Sequence, residues 1–101
     1  MKYDDFRTEL KSFLLSKKII QTLKQDKEFE AFYKAPEVIV IPTSTGRERP
    51  ININEFHKIW QIAKNLPKHE QFNPVNYLKD TVNASYILTL FKLILKEEEI
   101  E

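Results

Sequence analysis

One glycine, at position 46, serves the whole chain of 101 residues. Glycine reaches left-handed backbone without steric cost, so its scarcity argues against a succession of tight hairpins and for a mostly helical fold. It also removes phosphate-loop and dinucleotide fingerprints, which need several glycines for backbone to approach a phosphate. Cysteine is absent, which excludes disulfides, thiolate metal sites and cysteine nucleophiles and suits a reducing, cytoplasmic setting. No long apolar run occurs, and the opening residues include Asp4 and Asp5, so neither a signal peptide nor a membrane span is expected. A large charge of either sign is missing too: the formal net charge is +1.

What is present suffices for one core. The chain is 42% hydrophobic, 12% aromatic and 31% charged, a composition that folds rather than stays disordered, at a length that supports a single domain over residues 1–101. Charge is unevenly spread, because Glu97, Glu98, Glu99 and Glu101 hold four of the fifteen acids. The body is therefore moderately basic, and the acidic tail reads as a solvated, fraying helix end.

Hydrophobic spacing predicts helices over residues 1–35. Asp4 or Asp5 caps the first, residues 4–15, with Phe6, Leu10, Phe13 and Leu14 on one face. Ile19, Ile20 and Leu23 are rotated from that face, implying a break near Ser16, and Asp26 precedes Phe29, Phe32 and Tyr33 at helical spacing up to Pro36. Val38-Ile39-Val40-Ile41, bounded by Pro36 and Pro42, is the strongest strand signal. Thr43-Ser44-Thr45-Gly46 supplies a turn, and a second strand follows through Arg47, Arg49 and Ile51, with Pro50 placing it at an edge. Together residues 37–51 form one two-stranded antiparallel hairpin.

Residues 52–98 read as the C-terminal helices. Asn52 with Glu55 is a capping box for Ile53, Phe56, Ile59, Trp60, Ala63 and Leu66. Asn73-Pro74 starts a short helix with Val75, Tyr77 and Leu78. Asn83 caps a last helix, residues 84–98, whose circumference is apolar except for a stripe of Ser85, Thr89, Lys92 and Lys96. The expected fold is α+β, mostly helical with one hairpin. Its expected core includes Phe13, Ile20, Phe32, Val38, Val40, Phe56, Trp60, Leu78, Ile87, Leu90, Phe91 and Ile94.

Catalytic patterns are missing. His57 and His69 lie in different elements with no ligand cluster around them, and Ser12, Ser16, Ser44 and Ser85 lack the flanking glycines of a nucleophile elbow. A metal-dependent nuclease needs acids on adjacent strands with a lysine nearby. Pro36-Glu37 opens an apolar strand as such a motif would, but no acid-x-lysine pair follows, and Glu9-Leu10-Lys11 lies upstream on a helix. No enzyme activity, metal or cofactor is expected.

Two features carry positive content. Thr43, Ser44, Thr45, Gly46, Arg47 and Arg49 combine hydroxyls, open backbone N–H groups and guanidinium forks, the equipment that holds phosphates. Residues 74–96 have the dimensions of a helix-turn-helix, in which Asn83, Ser85 and Thr89 reach base edges while Lys92 and Lys96 contact phosphate. Thr43-Ser44-Thr45-Gly46-Arg47-Glu48-Arg49-Pro50-Ile51, Glu55-Phe56 with Trp60, and Asn83-Ala84-Ser85-Tyr86-Ile87 together resemble a small helix-turn-helix DNA-recognition domain of the sort attached to bacterial restriction and defence proteins. That resemblance covers residues 43–95. It implies a winged-helix-like arrangement, sequence-dependent binding of double-stranded DNA with the last helix in the groove and the hairpin as a wing on the backbone, and no catalysis. The alternative is a small protein-interaction or inhibitor protein that uses the same surface on a protein partner or a second copy of itself. One contiguous positive face would favour DNA, and an exposed apolar patch with a polar rim would favour a protein.

Overall fold

The computed structural model describes residues 1–23 and 26–101. Lys24 and Gln25, inside the region expected to be helical, lie outside the described residues. The first element is α1, Tyr3–Phe13, whose spacing puts Phe6 and Leu10 in the core, with Leu14 buried just beyond its end. Neither expected aspartate caps it. Lys2 occupies the cap position without a side-chain bond, and Asp4 and Asp5 fall inside the first turn, where carboxylates complement the positive end of the helix dipole.

Between α1 and the predicted hairpin the chain is not helical. It forms β1, Lys18–Gln21, and β2, Glu28–Lys34, which join β3, Glu37–Pro42, and β4, Arg49–Asn52, in one antiparallel sheet of order β1-β2-β3-β4. The fold is therefore α+β, with three α-helices and a four-stranded sheet among the described residues, neither mostly helical nor limited to a two-stranded hairpin. The physical reason lies in β2. Phe29, Phe32 and Tyr33 fit a helical face, but Phe29, Ala31 and Tyr33 also alternate, and their register against Pro42, Val40 and Val38 lets the sheet's inner face join the core. A helix there would leave the β3 edge unpaired.

A sheet forms despite the single glycine because few of its turns need one. Asp26 takes the left-handed backbone, φ +48°, before β2, a region that aspartate tolerates. The turn from β2 to β3 is made by Ala35 and Pro36, joined by a cis peptide bond. Gly46, at φ +66°, serves the connection from β3 to β4. Pro50 does sit on an edge strand, opposite Ile39, and Phe32, Ile39 and Pro50 line up on the outer face of the sheet.

After β4 comes α2, Ile53–Lys64, with Asn52 Oδ1 accepting the Asn54 N–H at 2.8 Å. Glu55 does not complete the capping box and bonds instead across the molecule. Pro74–Tyr77 is a single 3₁₀ turn, capped by Asn73 as expected, and Ala84–Leu95 is α3. Residues 74–96 thus hold one 3₁₀ turn and a core helix, not the pair of helices that the winged-helix and helix-turn-helix arrangement requires.

In α3, Ile87, Leu88, Thr89, Leu90, Phe91, Ile94 and Leu95 are buried. Phe6 and Phe91 each lie 4.9–6.5 Å, centroid to centroid, from Phe56 and Trp60 and from one another. Burying each such side chain contributes roughly 1.5–3 kcal/mol. Of the expected core, Leu78 is instead exposed, and Phe13 and Phe32 are half-buried. The acidic tail is fastened as well. Trp60 Nε1 donates to the Glu101 carbonyl at 2.9 Å, the Met1 ammonium bonds Glu101 Oε2 at 2.7 Å, and Lys68 Nζ bonds Glu99 Oε1 at 2.8 Å. The Lys68 bond holds the Glu99 carboxyl, and the Met1 ammonium bond the Glu101 carboxyl, below the usual carboxylate range.

Candidate nucleic-acid interface

The loop from β3 to β4, residues 43–48, is exposed throughout and internally bonded. Thr43 N–H donates to the Glu28 carbonyl at 3.0 Å, and its hydroxyl to Glu28 Oε1 at 3.0 Å. Thr45 and Gly46 N–H both donate to the Pro42 carbonyl, and Arg47 N–H donates to Thr45 Oγ1 at 3.3 Å. These four N–H groups are thus committed, so the expected open backbone cradle does not form from them. What the loop offers a ligand is side chains, chiefly the Ser44 hydroxyl and the Arg47 guanidinium.

Arg49 lies just beyond, on β4. Its Nη1 donates to Asn83 Oδ1 at 3.4 Å, and its guanidinium carbon sits 5.4 Å from the Tyr86 ring centroid. Tyr86 is in turn braced edge-on by Phe29, 5.1 Å away. Asn83 is the hub of this cluster and is only 7% exposed. Its Nδ2 donates to Glu55 Oε2 at 3.0 Å, its backbone N–H donates to Thr81 Oγ1 at 2.9 Å, and Thr81 donates to Glu55 Oε1 at 3.1 Å. Glu55, rather than pairing with an arginine, is spent on neutral donors. Among the described residues neither Arg47 nor Arg49 forms an ion pair.

The structure divides the sequence-predicted residues. Arg49 and Asn83 come together, with Thr43, Ser44, Thr45 and Arg47 on the adjoining loop and Ser85 two residues beyond Asn83 in the first turn of α3. Thr89 does not share an exposed stripe with them. It is 1% exposed, donates to the Ser85 carbonyl at 2.6 Å and accepts the Leu23 N–H at 3.3 Å, tying the turn after β1 to α3. Lys92 lies about 10 Å of helix rise beyond Ser85, with Nζ 4.5 Å from the Phe72 ring centroid, and exposed Lys96 closes α3 at φ +57°.

Sequence reasoning missed Tyr86, Glu55 and Thr81. Tyr86 enters the sequence reading through the apolar circumference and the resemblance, and Glu55 through the cap and the resemblance, none of which joins either to Arg49 or Asn83. A polar trio whose members lie 26 and 28 residues apart leaves no local pattern to find.

Beside this cluster, across the first turns of α3, lies a cleft of about 200 Å³ lined by residues that include Leu23, Phe72, Asn73, Val75, Ser85 and Leu88. Leu23, Val75, Leu78 and Val82 are exposed. His57 stacks on Tyr3 at 4.3 Å, His69 is exposed, and among the described residues no three acidic, histidine or cysteine side chains are grouped to hold a metal ion. No described helix is long and apolar enough to cross a membrane. No protein-family model, no curated protein and no solved structure matches this chain.

Proposed function

We propose that this domain binds DNA in a sequence-dependent manner, in the cytoplasm and without catalysing a reaction, through the β3–β4 loop and the first turn of α3. The observation that carries this reading is Arg49. Its guanidinium donates to Asn83 and rests on Tyr86, while among the described residues no carboxylate pairs with it or with Arg47. An arginine oriented without a counter-ion is ready to take a phosphate with little ordering cost. Ser44 and Arg47 extend that contact along the loop, and Lys92 and Lys96 extend it along α3.

Because most of α3 is core, the helix does not enter a groove lengthwise. Its half-buried start, at Ser85 and Tyr86, is what meets the bases. The test is a salt-titrated anisotropy or gel-shift measurement with mixed-sequence and selected duplexes. Arg47→Ala with Arg49→Ala should weaken binding to every sequence alike and reduce the salt slope by roughly 1 to 2 units. If the unmodified protein binds no DNA at about 50 mM salt, where the electrostatic contribution is strong, the reading is abandoned.

A second reading is favoured by the exposed apolar side chains Leu23, Val75, Leu78 and Val82. Under it, the domain is an interaction or inhibitor module whose partner is a protein or a second copy of the chain. Sedimentation equilibrium separates the self-association version, because Val82→Asp and Leu78→Asp would then shift a dimer to monomer.

A further inference from the structure

Resting on the DNA-binding reading, we propose that the cleft beside Ser85 receives one nucleobase taken out of the stack, so that the preferred ligand carries an unpaired or extruded base. The cleft is about 200 Å³, below the range of pockets built for drug-sized ligands and suited to a single planar ring. Its walls are largely apolar, from Leu23, Phe72, Val75 and Leu88, as the faces of a base require.

Two lining groups have no protein partner among the described residues. Ser85 lends its carbonyl to Thr89 but its hydroxyl to nothing, and Asn73 uses Oδ1 on the Val75 N–H while its amide N–H₂ stays free. A donor–acceptor hydroxyl and an amide donor suit the hydrogen-bonding edge of a base. An inserted leucine or phenylalanine would strip water from both groups without replacing its hydrogen bonds.

One cation lies over a wall of the cleft and another rests on the helix neighbour of Ser85. Arg49 rests on Tyr86, next to Ser85, and Lys92 lies over Phe72, one of the cleft walls. Tyr86 and Lys92 are separated by about 9 Å of helix rise, so phosphates on either side of a captured base would each meet a positive charge. An apolar side chain from a protein gains nothing from those cations, whereas a nucleotide is anchored at its base and on both sides of its sugar.

The experiment compares, by fluorescence anisotropy, a fully paired duplex with the same duplex carrying one unpaired base. The unmodified protein should bind the second about tenfold more tightly, which corresponds to about 1.4 kcal/mol. Ser85→Leu, which fills the cleft, should erase that preference. Val75→Glu, at an exposed position on the rim, should erase it too and guards against a folding defect in the first variant. Equal affinity of the unmodified protein for both duplexes, or a preference that survives both variants, overturns the proposal. Binding to neither duplex means instead that the DNA reading has failed. In NMR titrations, shifts at Leu23, Ser85 and Leu88 with N-acetyl-leucine amide but not with deoxynucleoside monophosphates would assign the cleft to a protein side chain and overturn it as well.

Discussion

Replacing Asn83 with alanine separates a residue that reads DNA from one that builds the surface DNA would meet. The substitution removes the Nδ2 bond to Glu55 at 3.0 Å and the acceptor for Arg49 at 3.4 Å. A hydrogen bond to a charged group contributes about 1.5–3 kcal/mol when well buried. Glu55 is half-buried and can recover water, which places the loss at the lower end, and the long Arg49 bond adds little. The expected cost is about 1.5–2 kcal/mol, lowering the melting temperature by roughly 10 °C for a domain of this size, with the denaturant m-value unchanged. Arg49, released from Asn83, should lose affinity for all DNA sequences alike. A double-mutant cycle with Thr81→Val should show a coupling of about 0.5 kcal/mol or more, because the two residues share Glu55. The reasoning is refuted by a stability loss under about 0.5 kcal/mol, the range of featureless surface sites, or by an affinity loss confined to one preferred sequence, which would make Asn83 a base reader.

Two further predictions follow the same logic. Thr89→Val keeps the shape of a side chain inside α3 but leaves the Leu23 N–H without its acceptor, so stability should fall by about 1 kcal/mol and the Leu23 amide should exchange faster by NMR, with DNA selectivity unchanged. Altered selectivity at unchanged stability would instead bring Thr89 into contact with DNA. In alkali, burial pushes the Tyr3 and Tyr77 phenols up to about 12, from an ordinary value of 10.0. The folded state therefore holds these protons more tightly than the unfolded chain. Their contribution is complete below about pH 10 and is lost as pH rises toward about 12. Melting temperatures should decline across that window, and less steeply in Tyr77→Phe. A phenolate absorbance assigned to Tyr77 by that variant, appearing near pH 10 in protein that keeps its native near-ultraviolet dichroism, would contradict this.

The elements legible in the residues are those whose local pattern admits one solution. Four consecutive β-branched residues between Pro36 and Pro42 have no good helix and become β3, and Pro50 consigns β4 to an edge. Asn52 before an apolar stripe starts α2, and the run from Ala84 to Leu95 is α3 under any packing. The loop arginines were legible as well, because a turn rich in hydroxyls and guanidinium groups is exposed wherever it falls.

β1 and β2 were not legible. Phe29, Phe32 and Tyr33 satisfy a helical face as well as Phe29, Ala31 and Tyr33 satisfy a strand, and the choice between them is made by Val38 and Val40, whose edge and inner face β2 covers. Exposure at the candidate site was hidden for a related reason. Ser85 and Thr89 stand one helical turn apart on α3, yet only Thr89 lies under the turn that follows β1, and that turn exists only because the sheet does. Asn83 meets its partners across 28 and 34 residues of chain. A periodicity reports which residues share a face, but which face is covered, and by what, is settled by burial free energy summed over elements far apart in the sequence.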